Sequence, residues 1–162
     1  MDRPAITILV NVCWPESRSE LRSASNDPEV QPLIFSNLPS DDDDVERLVA
    51  WCRTVRAIFE TRAFGTHYLG PCLPDGDVQT DDDFKSYIRT GTGPSYHPVG
   101  TCKMGRDEMS VVDDRLRVRG VSRLRVVDAS IMPVVTSANT NTTTIMISEK
   151  ASDLILEGQK IS

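Results

Sequence analysis

The sequence lacks an excess of positive charge, a long apolar run and any close pair of cysteines, and each absence removes a class of function. Lys and Arg number 18 against 24 Asp and Glu, a formal net charge of −6. That argues against an electrostatic nucleic-acid binder, which carries a basic stripe. No apolar stretch approaches the roughly 20 residues that a membrane span requires. Met1 to Val10 holds only Arg3 as positive charge and no small-residue cleavage site. No signal peptide is read there, and the cytoplasm is the expected compartment. Cys13, Cys52, Cys72 and Cys102 are scattered, with no C-x-x-C pair. Zinc sites use close ligand pairs and disulfide scaffolds are denser in cysteine, so reduced thiols and no metal site are expected. What remains is ordinary: 162 residues, 39% hydrophobic and 26% charged, enough for a globular core of about one domain.

Ile6 to Val12 is rich in β-branched residues and stops before Trp14-Pro15, so it reads as a strand. Glu20-Leu21-Arg22 and Leu33-Ile34-Phe35 are shorter strand candidates, separated by the turn formers Asn26-Asp27-Pro28. Val45, Leu48, Val49, Cys52, Val55 and Phe59 recur at helical spacing and predict a helix over 41–61. Ser40 is the expected N-cap, with Asp43 completing a capping box. The acidic run Asp41 to Asp44 then has a structural role, because carboxylates at a helix start meet the positive end of the dipole. It lacks the D-x-D-x-D-G spacing of a calcium loop. Residues 62–79 read as a loop, and Thr80-Asp81-Asp82-Asp83 opens a shorter helix over 80–90 that includes Phe84, Tyr87 and Ile88. Later, Leu116 to Val118 and Leu124 to Val127 read as strands with Gly120 in their connection. Asn141 is the expected cap of a last helix from Thr142 to about Glu157, with Ile145, Met146, Ala151, Leu154 and Ile155 inward. There is no βαβ alternation and no internal repeat. The fold class is therefore α+β on an antiparallel or mixed sheet.

Two segments have a composition that plain structure does not require. In Ser95-Tyr96-His97-Pro98-Val99-Gly100-Thr101-Cys102-Lys103-Met104-Gly105, the histidine precedes a proline and so lies on non-helical backbone. Glycines at 100 and 105 let that backbone pass close to another group. A histidine so held is a candidate general base, since an imidazole titrates near neutrality; a structural loop histidine is the plainer alternative. His67 lies in the 62–79 loop and reads as a surface or packing residue. The second segment runs from Val127-Asp128-Ala129-Ser130 through Thr136-Ser137-Ala138-Asn139-Thr140-Asn141-Thr142-Thr143-Thr144. A strand ending in Asp, then a helix start crowded with amides and hydroxyls, suits contacts to an anion or a polar ring edge. The same residues are also ordinary cap formers. Asn141-Thr142-Thr143 matches a glycosylation acceptor, which matters only in a secreted protein.

Together these segments resemble the C-terminal signature of glucose-methanol-choline (GMC) oxidoreductases, nearest to the choline-dehydrogenase-like branch. The resemblance is carried by His97 to Gly105, Val112-Asp113 to Gly120, Leu124-Arg125-Val126-Val127-Asp128-Ala129-Ser130-Ile131-Met132-Pro133, and Asn139-Thr140-Asn141 with Ile145 to Ala151. Weaker similarity extends back through Asn37-Leu38, Pro32 to Ile34 and Ser17-Arg18. It implies an FAD-dependent enzyme that oxidises an alcohol to an aldehyde or ketone. His97 matches the position that takes the hydroxyl proton, and Asn139 matches the partner that hydrogen-bonds the same oxygen. Asp128 and Ala129 match the place where the family meets the FAD phosphates, and Thr140, Asn141 and Thr142 the backbone along the flavin ring. In these terms residues 1–95 belong to the substrate-binding half. Residues 96–162 carry the catalytic loop and the final strand and helix of an FAD-binding domain.

The family's G-x-G-x-x-G fingerprint between a first strand and helix is missing. Gly91-Thr92-Gly93 runs into Pro94, follows no strand and lacks the last glycine. The resemblance therefore implies a chain that needs an N-terminal FAD-binding half or subunit as partner, and a small alcohol as substrate. A non-catalytic module that keeps the fold, and a flavin-containing hydroxynitrile lyase, are the alternative readings.

Overall fold

The computed structural model describes residues 4–159. The chain divides into two compact units, one holding the residues through Val12 with Glu16–Gly93, the other Cys13–Pro15 with the residues from Pro94 on.

In the first unit, β1 (Glu20–Arg22) pairs antiparallel with β2 (Leu33–Phe35), Leu21 opposite Ile34. Helix α1 (Asp42–Phe59) and helix α2 (Asp81–Gly91) pack on each other through Val45, Leu48, Val49, Phe84 and Ile88, all buried. The expected helices are present, but the cap of α1 is Asp41 rather than Ser40. The Asp41 carboxylate accepts from the Asp43 N–H at 2.9 Å, whereas the Ser40 and Asp41 N–H groups donate to the Ser17 hydroxyl at 3.1 Å each. For α2 the capping box forms as the Thr80…Asp83 spacing suggests. Arg56 reaches from α1 into residues 74–78, donating to the carbonyls of Val78, Pro74 and Asp75. Its guanidinium lies 4.7 Å from the Phe84 ring centroid.

The strand expected over Ile6 to Val12 is not formed. Ile6 and Leu9 are 71% and 76% exposed, and no ladder partner exists among the described residues. β-branched composition favours extended backbone, but a strand needs a neighbour to complete its hydrogen bonds. Of the residues in this segment, Val10 and Val12 pack against this unit's core.

In the second unit the core is Val112, Leu116, Ile131, Met132, Ile147, Ala151 and Leu154. The two late strands appear as an interrupted antiparallel pairing: Val118 N–H donates to the Leu124 carbonyl at 3.0 Å and Val126 N–H to that of Leu116 at 3.2 Å. Leu116, Gly120 and Arg123 all have left-handed φ, which breaks the ladder into isolated bridges. Helix α3 spans Thr140–Gln159, two residues earlier than expected. Its inward face is Ile147, Ala151 and Leu154, while Ile145, Met146 and Ile155 are turned outward. The helix is apolar on more than one face, and only one of them has a partner in this unit. No helix among the described residues is long and apolar enough to cross a membrane.

Candidate active site

His97, Asp128, Ala129 and residues 139–142 all lie in the second unit. Ser95 (φ 48°) and Tyr96 (φ 61°) are both left-handed, so the chain turns sharply just before His97, whose N–H donates to the Pro94 carbonyl at 3.2 Å. Two adjacent left-handed residues that are not glycine store strain, which surrounding contacts must hold in place. Those contacts follow in sequence. Gly100 has φ +89°, and a Cβ there would meet the Met132 carbonyl at 3.4 Å. Cys102 N–H then donates to Ser130 (3.0 Å) and Met104 N–H to Ile131 (2.8 Å). The histidine loop is thus zipped onto the backbone that follows Asp128. A Cβ at Gly105 would lie 2.4 Å from the Ser110 hydroxyl, so a side chain there would have to displace the Ser110 hydroxyl from its place beside Asp107. Lys103 is tied to Asp107, and that bond, with one from Ser110, holds the Asp107 carboxyl below the usual range.

Asp128 is the exposed cap of a 3₁₀ turn (Ala129–Ile131); its carboxylate accepts from Ser130 N–H at 2.7 Å, and its second oxygen has no partner among the described residues. Ala129 is half-buried against the core.

The cap of α3 is Asn139, not Asn141. Asn139 Oδ1 accepts from the Asn141 N–H at 3.1 Å, so its NH₂ is the uncommitted end of an exposed side chain. Capping at 139 leaves the N–H groups of Thr140 and Thr142 without an intrahelical acceptor. Thr140 itself is 7% exposed. Its hydroxyl lies 3.0 Å from His97 Nδ1, across 43 positions of sequence. This contact brings the histidine loop to the helix start that carries Asn139. The sequence indicated Thr140 only for its backbone; no local pattern links its hydroxyl to a histidine so far away. Trp14, which the sequence did not single out, donates its indole N–H to Ser137 just ahead of this turn.

Among the described residues no group of three or more His, Cys, Asp or Glu is placed to hold a metal ion. The open N–H groups at the start of α3 are donors of the kind that a polar ring edge or an anion would accept, and Ile145 and Met146, one turn further on, are exposed.

Known proteins carry the same segment. Residues 15–148 match the model of the GMC oxidoreductase family. The chain is 43% identical over 142 residues to an alcohol dehydrogenase [acceptor] of Pseudomonas putida, a match covering 88% of this chain and 26% of that protein. It is 44% identical over 139 residues to an oxygen-dependent choline dehydrogenase of Cronobacter sakazakii, covering 86% and 25%. Among solved structures, an FAD-dependent oxidoreductase from Chaetomium thermophilum superposes with a TM-score of 0.85 at 26% identity, over 91% of this chain and 26% of that one. The chain thus spans about a quarter of the length of these relatives. With the family model matched over most of its residues, the chain belongs to the GMC oxidoreductases, of which it carries the C-terminal region.

Proposed function

We propose that this chain supplies the proton-abstracting part of an FAD-dependent oxidoreductase acting on alcohols, and that the rest of the protein grips most of the flavin. The reading rests on the 3.0 Å contact between Thr140 and His97 Nδ1. It commits one ring nitrogen to the start of α3 and leaves Nε2 as the nitrogen for substrate, next to the residue that follows Asn139. The alcohol O–H donates to His97 Nε2, and the Asn139 amide N–H donates to the same oxygen. As the proton passes to the imidazole, negative charge grows on that oxygen, and a donor already in place stabilises it at little reorganisation cost. Bound FAD would supply the hydride acceptor that this proton transfer needs, so that the alcohol leaves as an aldehyde or ketone. On this chain Thr140, Asn141 and Thr142 would lie along the ring, and Asp128 with Ala129 near the phosphates. The relatives named alcohol dehydrogenase and choline dehydrogenase support an alcohol as the donor class.

The test is anaerobic flavin reduction by a primary alcohol in the assembled flavoprotein. His97→Ala is expected to slow the step by about 10²- to 10⁴-fold, the usual range for a positioned acid-base group, with the visible flavin spectrum retained. Reduction at the wild-type rate would remove His97 from the mechanism.

A further inference from the structure

We infer that Thr140 is a positioning residue that supplies the acceptor for the Nδ1–H tautomer of His97, an inference that rests on the reading of His97 as base. A neutral imidazole carries its proton on one nitrogen, and the partner of the other decides which. For Nε2 to take a proton from the alcohol it must hold a free lone pair, so Nδ1 must carry N–H. That N–H needs an acceptor, and the Thr140 hydroxyl, 3.0 Å away, supplies one. Among the described residues this hydroxyl has no other side-chain partner, so it is free to accept from Nδ1–H or to donate to a bare Nδ1, and the base reading requires the accepting arrangement. It also remains an acceptor once the ring has taken the substrate proton and become imidazolium, so one contact serves both states of the base.

The position of the threonine is itself fixed. Thr140 is buried at the first residue of α3, its carbonyl accepts from the Thr144 hydroxyl at 2.9 Å, and Asn139 immediately before it caps the helix. β-branching restricts its χ1, so the hydroxyl has few directions open to it. Along the chain, the left-handed pair Ser95-Tyr96 and the ladder from Cys102 to Ser130 hold the histidine from the other side. A histidine fixed at its backbone and at Nδ1 can present only Nε2 to an incoming alcohol. By contrast, a threonine that donated its own proton to Nδ1 would place the ring proton on Nε2 and block abstraction. The direction of this one hydrogen bond is therefore what separates a competent base from an inert ring.

The experiment uses the assembled, flavin-loaded protein labelled with ¹⁵N-histidine, at a pH where the imidazole is neutral. The His97 signal is identified by its loss in His97→Gln. In the wild type its ¹⁵N shifts are expected to report the Nδ1–H tautomer; an Nε2–H tautomer would overturn the inference without any variant being needed. Thr140→Val keeps the shape and deletes the acceptor. It is expected to move the population toward Nε2–H and to slow flavin reduction at saturating alcohol by about 10- to 100-fold, the effect of stranding a buried N–H. Alcohol binding should change less than about threefold, since the ring still occupies its place. Thr140→Ser restores the hydroxyl and should recover both the tautomer and the rate. Unchanged reduction in Thr140→Val, or failure of serine to rescue it, overturns the role assigned to the hydroxyl. The two readings fail separately: full activity of His97→Gln would sink the base assignment itself, whereas an inactive His97→Gln beside a fully active Thr140→Val would sink only this inference.

Discussion

Arg123 occupies a left-handed backbone position (φ 62°) in the connection that follows Gly120. An L-residue there carries a steric cost of about 1–2 kcal/mol that glycine avoids, offset in part by the greater chain entropy of glycine in the unfolded state. The side chain is exposed and makes no hydrogen bond or ion pair among the described residues. Arg123→Gly is therefore expected to stabilise the protein by about 0.5–1 kcal/mol, read as a rise in the urea midpoint at unchanged slope. A fall in the midpoint would show that the guanidinium has a role the backbone argument misses. Residue-scale detail of this kind was only partly legible in the sequence. Composition marked 139–144 as a helix start, yet Asn139 and Asn141 are both good caps, and local preference does not rank them. The choice is made by tertiary contact, because a start at Thr140 lets its hydroxyl meet His97 while Asn139 covers the Asn141 N–H. His97 could be picked out as a loop histidine beside Pro98; its partner could not, being 43 positions distant.

At the scale of elements, the first turn of α1 is anchored by one buried carboxylate. Asp44 is 2% exposed and accepts from Ser17 N–H (2.8 Å), the Ser17 hydroxyl (2.7 Å) and Glu16 N–H (3.2 Å). Burial alone would raise its pKa, but the bonds from Ser17 and Glu16, with Arg47 nearby, outweigh burial and lower it. A carboxyl lowered in the fold contributes stability that is fully present above its unfolded value, near 3.8, and is lost as pH falls through the folded value. Asp44→Asn replaces an acceptor with an NH₂ that must face an N–H or hydroxyl donor. It is expected to cost about 1.5–3 kcal/mol at neutral pH, and the cost should shrink below about pH 4 as the wild-type carboxyl protonates. Urea midpoints for both proteins between pH 7 and pH 2 check this; curves that stay parallel across the range would show that the carboxylate charge is not what matters. The sequence suggested a dipole role for all four aspartates from Asp41 to Asp44, and a linear pattern could not show that the fourth turns inward. The same limit explains the elements that were misjudged. Ile6 to Val12 has strand composition without a ladder, and α3 has apolar residues on faces that this unit does not cover. Periodicity reports that a face is apolar, not which neighbour buries it.

For the whole molecule, surface area gives the sharpest constraint. The chain exposes 12150 Å² at 18.0 kDa. A self-sufficient protein of that mass exposes about 8,000 Å², and even two independent bodies of half the mass would expose only about 9,700 Å² together. Large apolar side chains are part of that surface: Ile6, Leu9, Ile34 and Leu33 in the first unit, Ile145, Met146 and Leu156 in the second, are each at least half exposed. Monomeric proteins keep such patches small, and larger ones mark surfaces that another partner covers. The relatives, about four times as long, have the extra chain to do this. Expressed by itself, the 162-residue chain is expected to bind a hydrophobic dye strongly, to elute from a sizing column well above 18.0 kDa, and to retain no FAD after gel filtration. Co-expression with the flavin-holding remainder of a relative should reverse all three. Ile145→Lys with Met146→Glu tests the cause, because it removes apolar surface from α3 without touching the buried Ile147, Ala151 and Leu154. That double variant should reduce self-association of the isolated chain while weakening flavin retention in the assembled protein. If it lowered association but left assembly and flavin retention intact, the exposed face of α3 would not be a surface that the complete enzyme uses.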